Sequence, residues 1–180
     1  MMRAPTETNA RSDAAMRRAG EGGRTQADVA TNEGNGALCL VPATIDDAGW
    51  LYRLAEQTMK AYAEATWGAW HERSARAYVA QAAAAGKFTL VYEGETRVAG
   101  LCVERHPGHV ELEDLYVVPA FQRLGIGTRV MRVLIDDARR AGKPMRLRVL
   151  KVNPARTFYA RFGFVAVRAT RECVTMELRP

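Results

Sequence analysis

The chain has 180 residues, of which 48% are hydrophobic, a length and composition typical of one globular domain with a tail. It lacks both the run of about 18 apolar residues that a membrane helix needs and the apolar stretch of a secretory signal. Its three cysteines are far apart and follow no zinc-binding or disulfide pattern, which predicts a reduced, cytoplasmic protein without a metal.

The net charge of +6 arises outside the first 37 residues, because five arginines and five acidic residues cancel there. Part of the excess surrounds one loop and the helix after it, at Arg123, Arg129, Arg132, Arg139 and Arg140. Such a cluster fits a nucleic acid or a smaller polyphosphate. No recognition-helix or base-stacking motif accompanies it, so we expect a phosphate-bearing cofactor rather than a nucleic-acid partner.

The N-terminal segment has an unusual composition. Residues 1–36 are rich in Gly, Ala, Thr, Asn and Arg and contain no aromatic side chain. Such a segment buries too little apolar surface to offset its loss of conformational entropy. We therefore expect residues 1–36 to be a disordered extension and residues 37–180 to form the folded domain.

From residue 37 on, apolar runs separated by glycines and prolines mark the elements. A strand is predicted over 37–44, a helix from a cap at Thr44 or Asp46 to about Tyr62, and a loop over 67–70. The remaining elements are helix 71–85, strands 88–92, 98–105 and 110–118, helix 127–141, strand 145–152, helix 154–162, and a hairpin of strands 164–169 and 173–178. This order, β-α-α-β-β-β-α-β-α-β-β, predicts an α/β fold in which a mixed sheet carries helices on both faces.

The most informative stretch covers residues 112–131, where a strand, a glycine-containing loop and a helix N-terminus follow one another. Backbone N–H groups converge at such a loop and the helix dipole adds positive potential, so it predicts a phosphate site. The nucleotide-triphosphatase loop is excluded, because no Gly-Lys-Ser/Thr occurs. A dinucleotide fingerprint would need a third glycine, but Val130 occupies that position.

The loop sequence Gln122-Arg123-Leu124-Gly125-Ile126-Gly127 resembles the Q/R-x-x-G-x-G/A signature of the GNAT superfamily of N-acetyltransferases. In that family the loop holds the pyrophosphate of acetyl-CoA. The order of elements is also similar, over nearly the whole predicted domain. The resemblance implies a mostly antiparallel sheet that splays between strands 4 and 5.

A second motif lies at 152–164 and is similar to the family pattern N-x-x-A-x-x-x-Y-x-x-x-G-F. It departs in one place, because Ala155 stands one position early and Arg156 takes the place of the usual alanine. By resemblance, Asn153 binds the pantetheine arm and Tyr159 protonates the departing thiolate. Arg156 either approaches the cofactor phosphates or belongs to a solvated helix face.

The fourth strand supplies backbone groups in this family, and the pantetheine lies beside it in the gap of the sheet. A backbone N–H there, of Tyr116 or Val117, would stabilise the oxyanion. In full, the resemblance places the cofactor against Leu115, Tyr116, Val117, Val118, Gln122, Arg123, Leu124, Gly125, Ile126, Gly127, Thr128, Asn153, Arg156 and Tyr159.

Three acidic residues, Glu111, Glu113 and Asp114, come just before that backbone segment. Regular alternation puts Glu111 and Glu113 on one face and Asp114 on the other. A carboxylate there can accept the proton of an acceptor amine or bind its ammonium. By resemblance, Glu113 and Asp114 match acidic positions of spermidine/spermine acetyltransferases, and Glu111 matches the base of histone acetyltransferases. The alternative is that these acids are exposed strand residues.

Trp67 and Trp70 fall in the connection between the first two helices, which overhangs the acceptor site in this family. They predict either an aromatic wall for an alkyl or cationic acceptor or a packed helical corner.

Together, these patterns predict an N-acetyltransferase that transfers the acetyl group of acetyl-CoA to a primary amine of a small molecule or peptide within a ternary complex. Glu113, Glu111 and Tyr159 are the expected catalytic residues, and Trp67, Trp70, Glu113 and Asp114 the expected acceptor-binding ones. The alternative function is a non-catalytic acyl-CoA sensor or interaction module on the same fold. A homodimer is compatible with either function.

Overall fold

The structure is a computed structural model, and it describes residues 37–180. The predicted disordered extension, residues 1–36, lies outside the described residues. The strands are β1 (Leu38–Pro42), β2 (Phe88–Glu93), β3 (Thr96–Arg105), β4 (Val110–Val117), β5 (Met145–Leu150), β6 (Val165–Ala169) and β7 (Cys173–Leu178). The helices are α1 (Ala48–Trp67), α2 (Glu72–Ala84), α3 (Ile126–Arg140) and α4 (Ala155–Ala160), with short 3-10 turns at Ile45–Asp47 and Pro119–Phe121.

The order of elements agrees with the order predicted from the sequence, and one boundary differs in a way that matters. Helix α1 continues to Trp67, so the loop predicted to begin there is wrong at that residue. Residues 63–66 are Ala-Glu-Ala-Thr, and alanine and glutamate favour a helix. The helix ends at Gly68, which has a left-handed φ of 79° and donates its N–H to the Glu64 carbonyl at 2.8 Å.

The seven strands form one sheet in the order β1-β2-β3-β4-β5-β7-β6. All neighbours are antiparallel except β4 and β5. Helices α1 and α2 pack on one face around Leu51, Val79 and Phe88, and α3 packs on the other around Val130 and Leu147. The mixed sheet with helices on both faces is therefore confirmed. In the part of the chain that the structure describes, no helix has the length and apolar character needed to cross a membrane.

The parallel pair β4–β5 diverges along its length. The two strands are paired only at Val110 with Met145, Glu111 with Arg146 and Leu112 with Leu147. Beyond those three pairs the two strands are no longer paired with each other, although β4 continues to Val117 and β5 to Leu150. A gap therefore opens between the two strands towards their carboxyl ends, where β4 leads into the glycine loop.

A β-bulge at Glu113 changes which way β4 presents its side chains. On β3, Val103 pairs with Leu112 and Cys102 pairs with Asp114, so Glu113 is the extra residue. Leu112 consequently packs in the core with α3, whereas Asp114 contacts α2 on the opposite face. The prediction that Asp114 faces away from Glu111 is wrong, because regular alternation does not survive a bulge.

Candidate active site

The glycine loop joins the end of β4 to helix α3 and has a backbone suited to an anion. Arg123 and Gly125 both have left-handed φ values, 62° and 86°. Gly125 precedes the helix, and no side chain caps its first turn. The N–H groups of that turn have no acceptor within the helix, so they are directed at the space in front of the loop. Ile126 is 1% exposed and anchors the loop in the core.

Two further contacts hold the loop against its neighbours. The Gln122 side chain donates from Nε2 to the Val117 carbonyl at 3.0 Å, which ties the loop to the last residue of β4. A Cβ at Gly127 would lie 3.3 Å from Phe158 Cζ and 3.8 Å from Val117 Cγ2. The absence of a side chain at Gly127 therefore lets α3 begin close to both β4 and α4.

Asn153 stands on the other side of the gap, between β5 and α4. Its Oδ1 accepts the Ala155 N–H at 2.9 Å, as in a helix cap, and its Nδ2 lies 3.9 Å from Met59 Sδ of α1. Arg156 is exposed on α4. The second motif thus lies at the gap, with Asn153 beside it and Arg156 in solvent.

Tyr159 of α4 is 9% exposed and lies among aromatic rings. Its ring centroid is 5.3 Å from that of Phe158 and 6.0 Å from that of Phe164. Burial raises the pKa of the Tyr159 phenol well above its ordinary value, and the negative charge of Asp114 raises it further. The phenol therefore stays protonated at neutral pH and has a proton to donate.

The three acidic residues of β4 have different surroundings. Glu111 lies in the paired part of β4 and its Oε2 is 3.3 Å from His109 Nε2. Glu113 is the bulge residue, at the point where the gap begins. Asp114 is 5% exposed and is one of two buried charged residues in the part of the chain described. The bulge thus places Glu113 and Asp114, rather than Glu111, at the opening of the gap.

The buried Asp114 carboxylate accepts hydrogen bonds from two phenols. The Tyr78 hydroxyl of α2 donates to Oδ2 at 2.6 Å, and the Tyr116 hydroxyl donates to Oδ1 at 2.5 Å. Burial and the charge of Asp114 raise the pKa of both tyrosines far above the ordinary value, so both remain protonated donors. Sequence reasoning missed Tyr78 altogether. The available signal was the position of Asp114 among apolar strand residues, because a buried carboxylate needs donors.

Cys102 lies on β3 opposite Asp114. Burial is the main reason that the pKa of this thiol rises to about 12, and Asp114 adds to it. Because the thiolate is the nucleophilic form, Cys102 is unreactive at neutral pH. Across residues 37–180 no group of three or more His, Cys, Asp or Glu side chains is arranged to hold a metal.

The sequence model of the acetyltransferase (GNAT) family matches residues 51–164, which include the loop, the gap and both motifs. The chain belongs to this family. No curated protein matches the chain by sequence.

Solved structures of GNAT enzymes share this fold. The PaiA N-acetyltransferase of Thermoplasma acidophilum, in complex with coenzyme A, is 17% identical with a TM-score of 0.64, over 80% of this chain and 99% of that one. The ribosomal-protein-S18-alanine N-acetyltransferase of Escherichia coli is 19% identical with a TM-score of 0.58, over 79% and 94%. Arabidopsis thaliana Naa50, in complex with the bisubstrate analogue CoA-Ac-MVNAL, is 19% identical with a TM-score of 0.57, over 79% and 99%. At these identities the likeness shows the fold alone.

Within this GNAT domain, the two tryptophans pack in different places. Trp67 packs with Leu150 and Cys173 at the carboxyl end of β5. Trp70 packs against the core between the sheet and helices α1 and α2, and it donates its Nε1–H to the Tyr52 hydroxyl at 3.3 Å. The two tryptophans thus pack against different groups of core residues, and the Trp70 contact favours a packed corner.

Proposed function

We propose that this GNAT domain transfers the acetyl group of acetyl-CoA to a primary amine by direct transfer in a ternary complex. The observation that carries the proposal is the gap between β4 and β5, which opens where β4 leads into the glycine loop and where β5 is followed by α4, the helix that contains Tyr159. Membership of the family and the coenzyme A bound to a structural neighbour support it.

The residues at the gap fit the cosubstrate. The loop from Gln122 to Thr128 offers backbone N–H groups to a pyrophosphate, and Gly127 leaves no side chain between α3 and the neighbouring Phe158. Beyond the last β4–β5 pair, the backbone of residues 115–118 can bond an extended arm as an added strand would. Asn153 and the exposed Arg156 complete the proposed binding residues.

Bound acetyl-CoA would supply an activated carbonyl and a thiolate leaving group. The backbone N–H of Tyr116 or Val117 would stabilise the negative charge that develops on the acetyl oxygen. Tyr159, whose phenol carries its proton at neutral pH, would give that proton to the sulfur as the thiolate departs. Glu113, at the opening of the gap, would hold the acceptor ammonium and assist loss of its proton, with Glu111 as the second candidate.

The structural neighbours suggest which acceptors to test. One structural neighbour is named for a protein acceptor, the alanine of ribosomal protein S18. Another, Naa50, binds a bisubstrate analogue that contains the peptide MVNAL. We therefore propose small-molecule amines and peptide N-termini as the acceptors to test, with Trp67, Trp70 and Asp114 near their path. A cytoplasmic location and a homodimer remain predictions.

Isothermal titration with acetyl-CoA, followed by a panel of amines with thiol release monitored, tests the proposal. We expect binding, and thiol release with one class of amine. Tyr159→Phe and Glu113→Gln should each lower kcat/KM by roughly 10²–10⁴-fold, the usual range for acid–base groups. Tyr92→Phe, on β2, and Asp136→Asn, exposed on α3, make the same chemical changes elsewhere and should leave it unchanged.

Three outcomes would count against this assignment. Binding without turnover on any amine would favour the acyl-CoA sensor or interaction module. Failure to bind acetyl-CoA would remove the basis of the proposal. Full activity in both Tyr159→Phe and Glu113→Gln would show that the proposed residues do not carry the reaction.

A further inference from the structure

The proposed transfer leaves one part of the site without a role, the two phenols on Asp114. Tyr78 reaches the carboxylate from α2, 36 positions earlier in the chain, and Tyr116 reaches it from the same strand. Asp114 is 5% exposed, and burying a carboxylate is costly unless donors satisfy it. Asp114, Tyr78 and Tyr116 therefore form a hydrogen-bonded cluster beside the bulge.

This group lies beside the place where the gap between β4 and β5 begins. Asp114 follows the bulge residue Glu113, at the point where β4 and β5 separate. The charge of Asp114 acts on Tyr159, and the charge of Glu113 acts on Tyr78. The proposed acid for the thiolate, the proposed anchor for the ammonium and the buried carboxylate are therefore electrostatically linked around one opening.

The two phenols differ in their access to that opening. Tyr116 is 3% exposed and closed in by the core of α1 and α2. Tyr78 is only partly buried, on the edge of the same core. Of the two phenols, Tyr78 is therefore the one that an acceptor could approach, whereas Tyr116 is enclosed by the core.

We propose that Tyr78 passes the proton of the acceptor ammonium to Asp114, while Tyr116 holds the carboxylate in place. In this route Glu113 assists by positioning the ammonium and does not itself accept the proton. One N–H bond of the ammonium breaks as an O–H bond forms on Tyr78. The original Tyr78 O–H bond breaks at the same time, and its proton forms an O–H bond on Asp114 Oδ2. The amine and the carboxyl both end neutral, and the nitrogen lone pair is free to attack the acetyl carbon. This inference rests on the proposed function.

Other ionisable groups lie near the Tyr78–Asp114 hydrogen bond and contribute to its electrostatic environment. Cys102 of β3 and Glu113 of β4 act on Tyr78 together with Asp114. Lys87, which bonds Glu104 of β3, also feels the charge of Glu113. Cys102, Glu113, Lys87 and Glu104 are unchanged in all the variants compared below.

The test compares Tyr78→Phe with Tyr116→Phe, since each removes one hydrogen bond to the same carboxylate. At pH 7, kcat/KM of Tyr78→Phe should fall by roughly 10²–10⁴-fold, and Asp114→Asn should match it. Tyr116→Phe keeps the backbone N–H of residue 116 and the Tyr78 route and loses one anchor of the carboxylate, so it should lower kcat/KM far less than Tyr78→Phe does. Near pH 10, close to the ordinary pKa of an alkyl ammonium, roughly a third to a half of the amine is deprotonated in solution. The Tyr78→Phe activity should therefore approach wild type there, and acetyl-CoA affinity should be unchanged.

Two results would overturn the relay. One is an equal loss in Tyr78→Phe and Tyr116→Phe, which would mean that both phenols merely anchor Asp114. The other is a Tyr78→Phe loss that persists at high pH, because a defect in proton removal disappears when the amine is already neutral. A wild-type domain that acetylates no amine would instead overturn the proposed function, so the two failures are distinguishable.

Discussion

Substituting Gly100 by alanine tests how α1 is held against the sheet. Gly100 lies on β3, paired with Tyr116 of β4. A Cβ there would be 2.6 Å from Leu51 Cδ2, whereas carbon atoms in contact are about 3.5–4.0 Å apart. Leu51 is 0% exposed, so its methyl group cannot move aside into solvent. The added methyl must displace α1 or force Leu51 out of its rotamer.

Overpacking of this kind costs about 1–3 kcal/mol. At roughly 2–4 °C per kcal/mol, the midpoint of thermal unfolding of Gly100→Ala should fall by roughly 2–12 °C. Circular dichroism melts measure the shift. Gly108→Ala is the matched control, because a Cβ at Gly108 meets no atom within 4 Å. Its melting temperature should stay within about 2 °C of wild type, since a change in open space costs at most a few tenths of a kcal/mol.

A double variant shows whether the Leu51 contact is the cause. Leu51→Ala alone should destabilise by about 2–5 kcal/mol, because it leaves a cavity. Combined with Gly100→Ala, the loss should be clearly smaller than the sum, since the new methyl enters that cavity. A Gly100→Ala protein as stable as wild type, or strict additivity in the double variant, would refute the reasoning.

Three further predictions concern the loop, a thiol and a carboxylate. Gly125→Ala forces a Cβ into a left-handed backbone, so the melting temperature should drop by the equivalent of about 1–2 kcal/mol. In the native protein, mass spectrometry after iodoacetamide at pH 8 should find exposed Cys39 alkylated and buried Cys102, with its pKa of about 12, unmodified. The Arg146 guanidinium lowers the pKa of Glu177, so the charged carboxylate stabilises the folded protein. In urea melts, the free energy of unfolding of wild type should therefore exceed that of Glu177→Gln by a constant margin above pH 4.5. That margin should vanish as the pH falls through the lowered pKa, because both states then bind the proton.

Local sequence patterns were enough to predict most of the fold. The glycines at 125 and 127, the proline stops and the apolar periodicities predicted the order of the elements and the loop before α3, because these features depend on near neighbours in the chain. The error at Trp67 has the same origin, since a helix continues until a residue ends it, and that residue is Gly68.

The arrangement of the acids depended on tertiary structure. The bulge at Glu113 exists only in the pairing of β4 with β3, so no pattern within β4 revealed that Asp114 would turn towards α2. Tyr78 meets Asp114 only because α2 packs on that face of the sheet, across 36 positions of the chain. The sequence by itself therefore determined the family, the loop and the two motifs, which are contiguous. Only the packed sheet decided where the gap opens and which carboxylate is buried under two phenols, because these depend on groups that are distant in the chain.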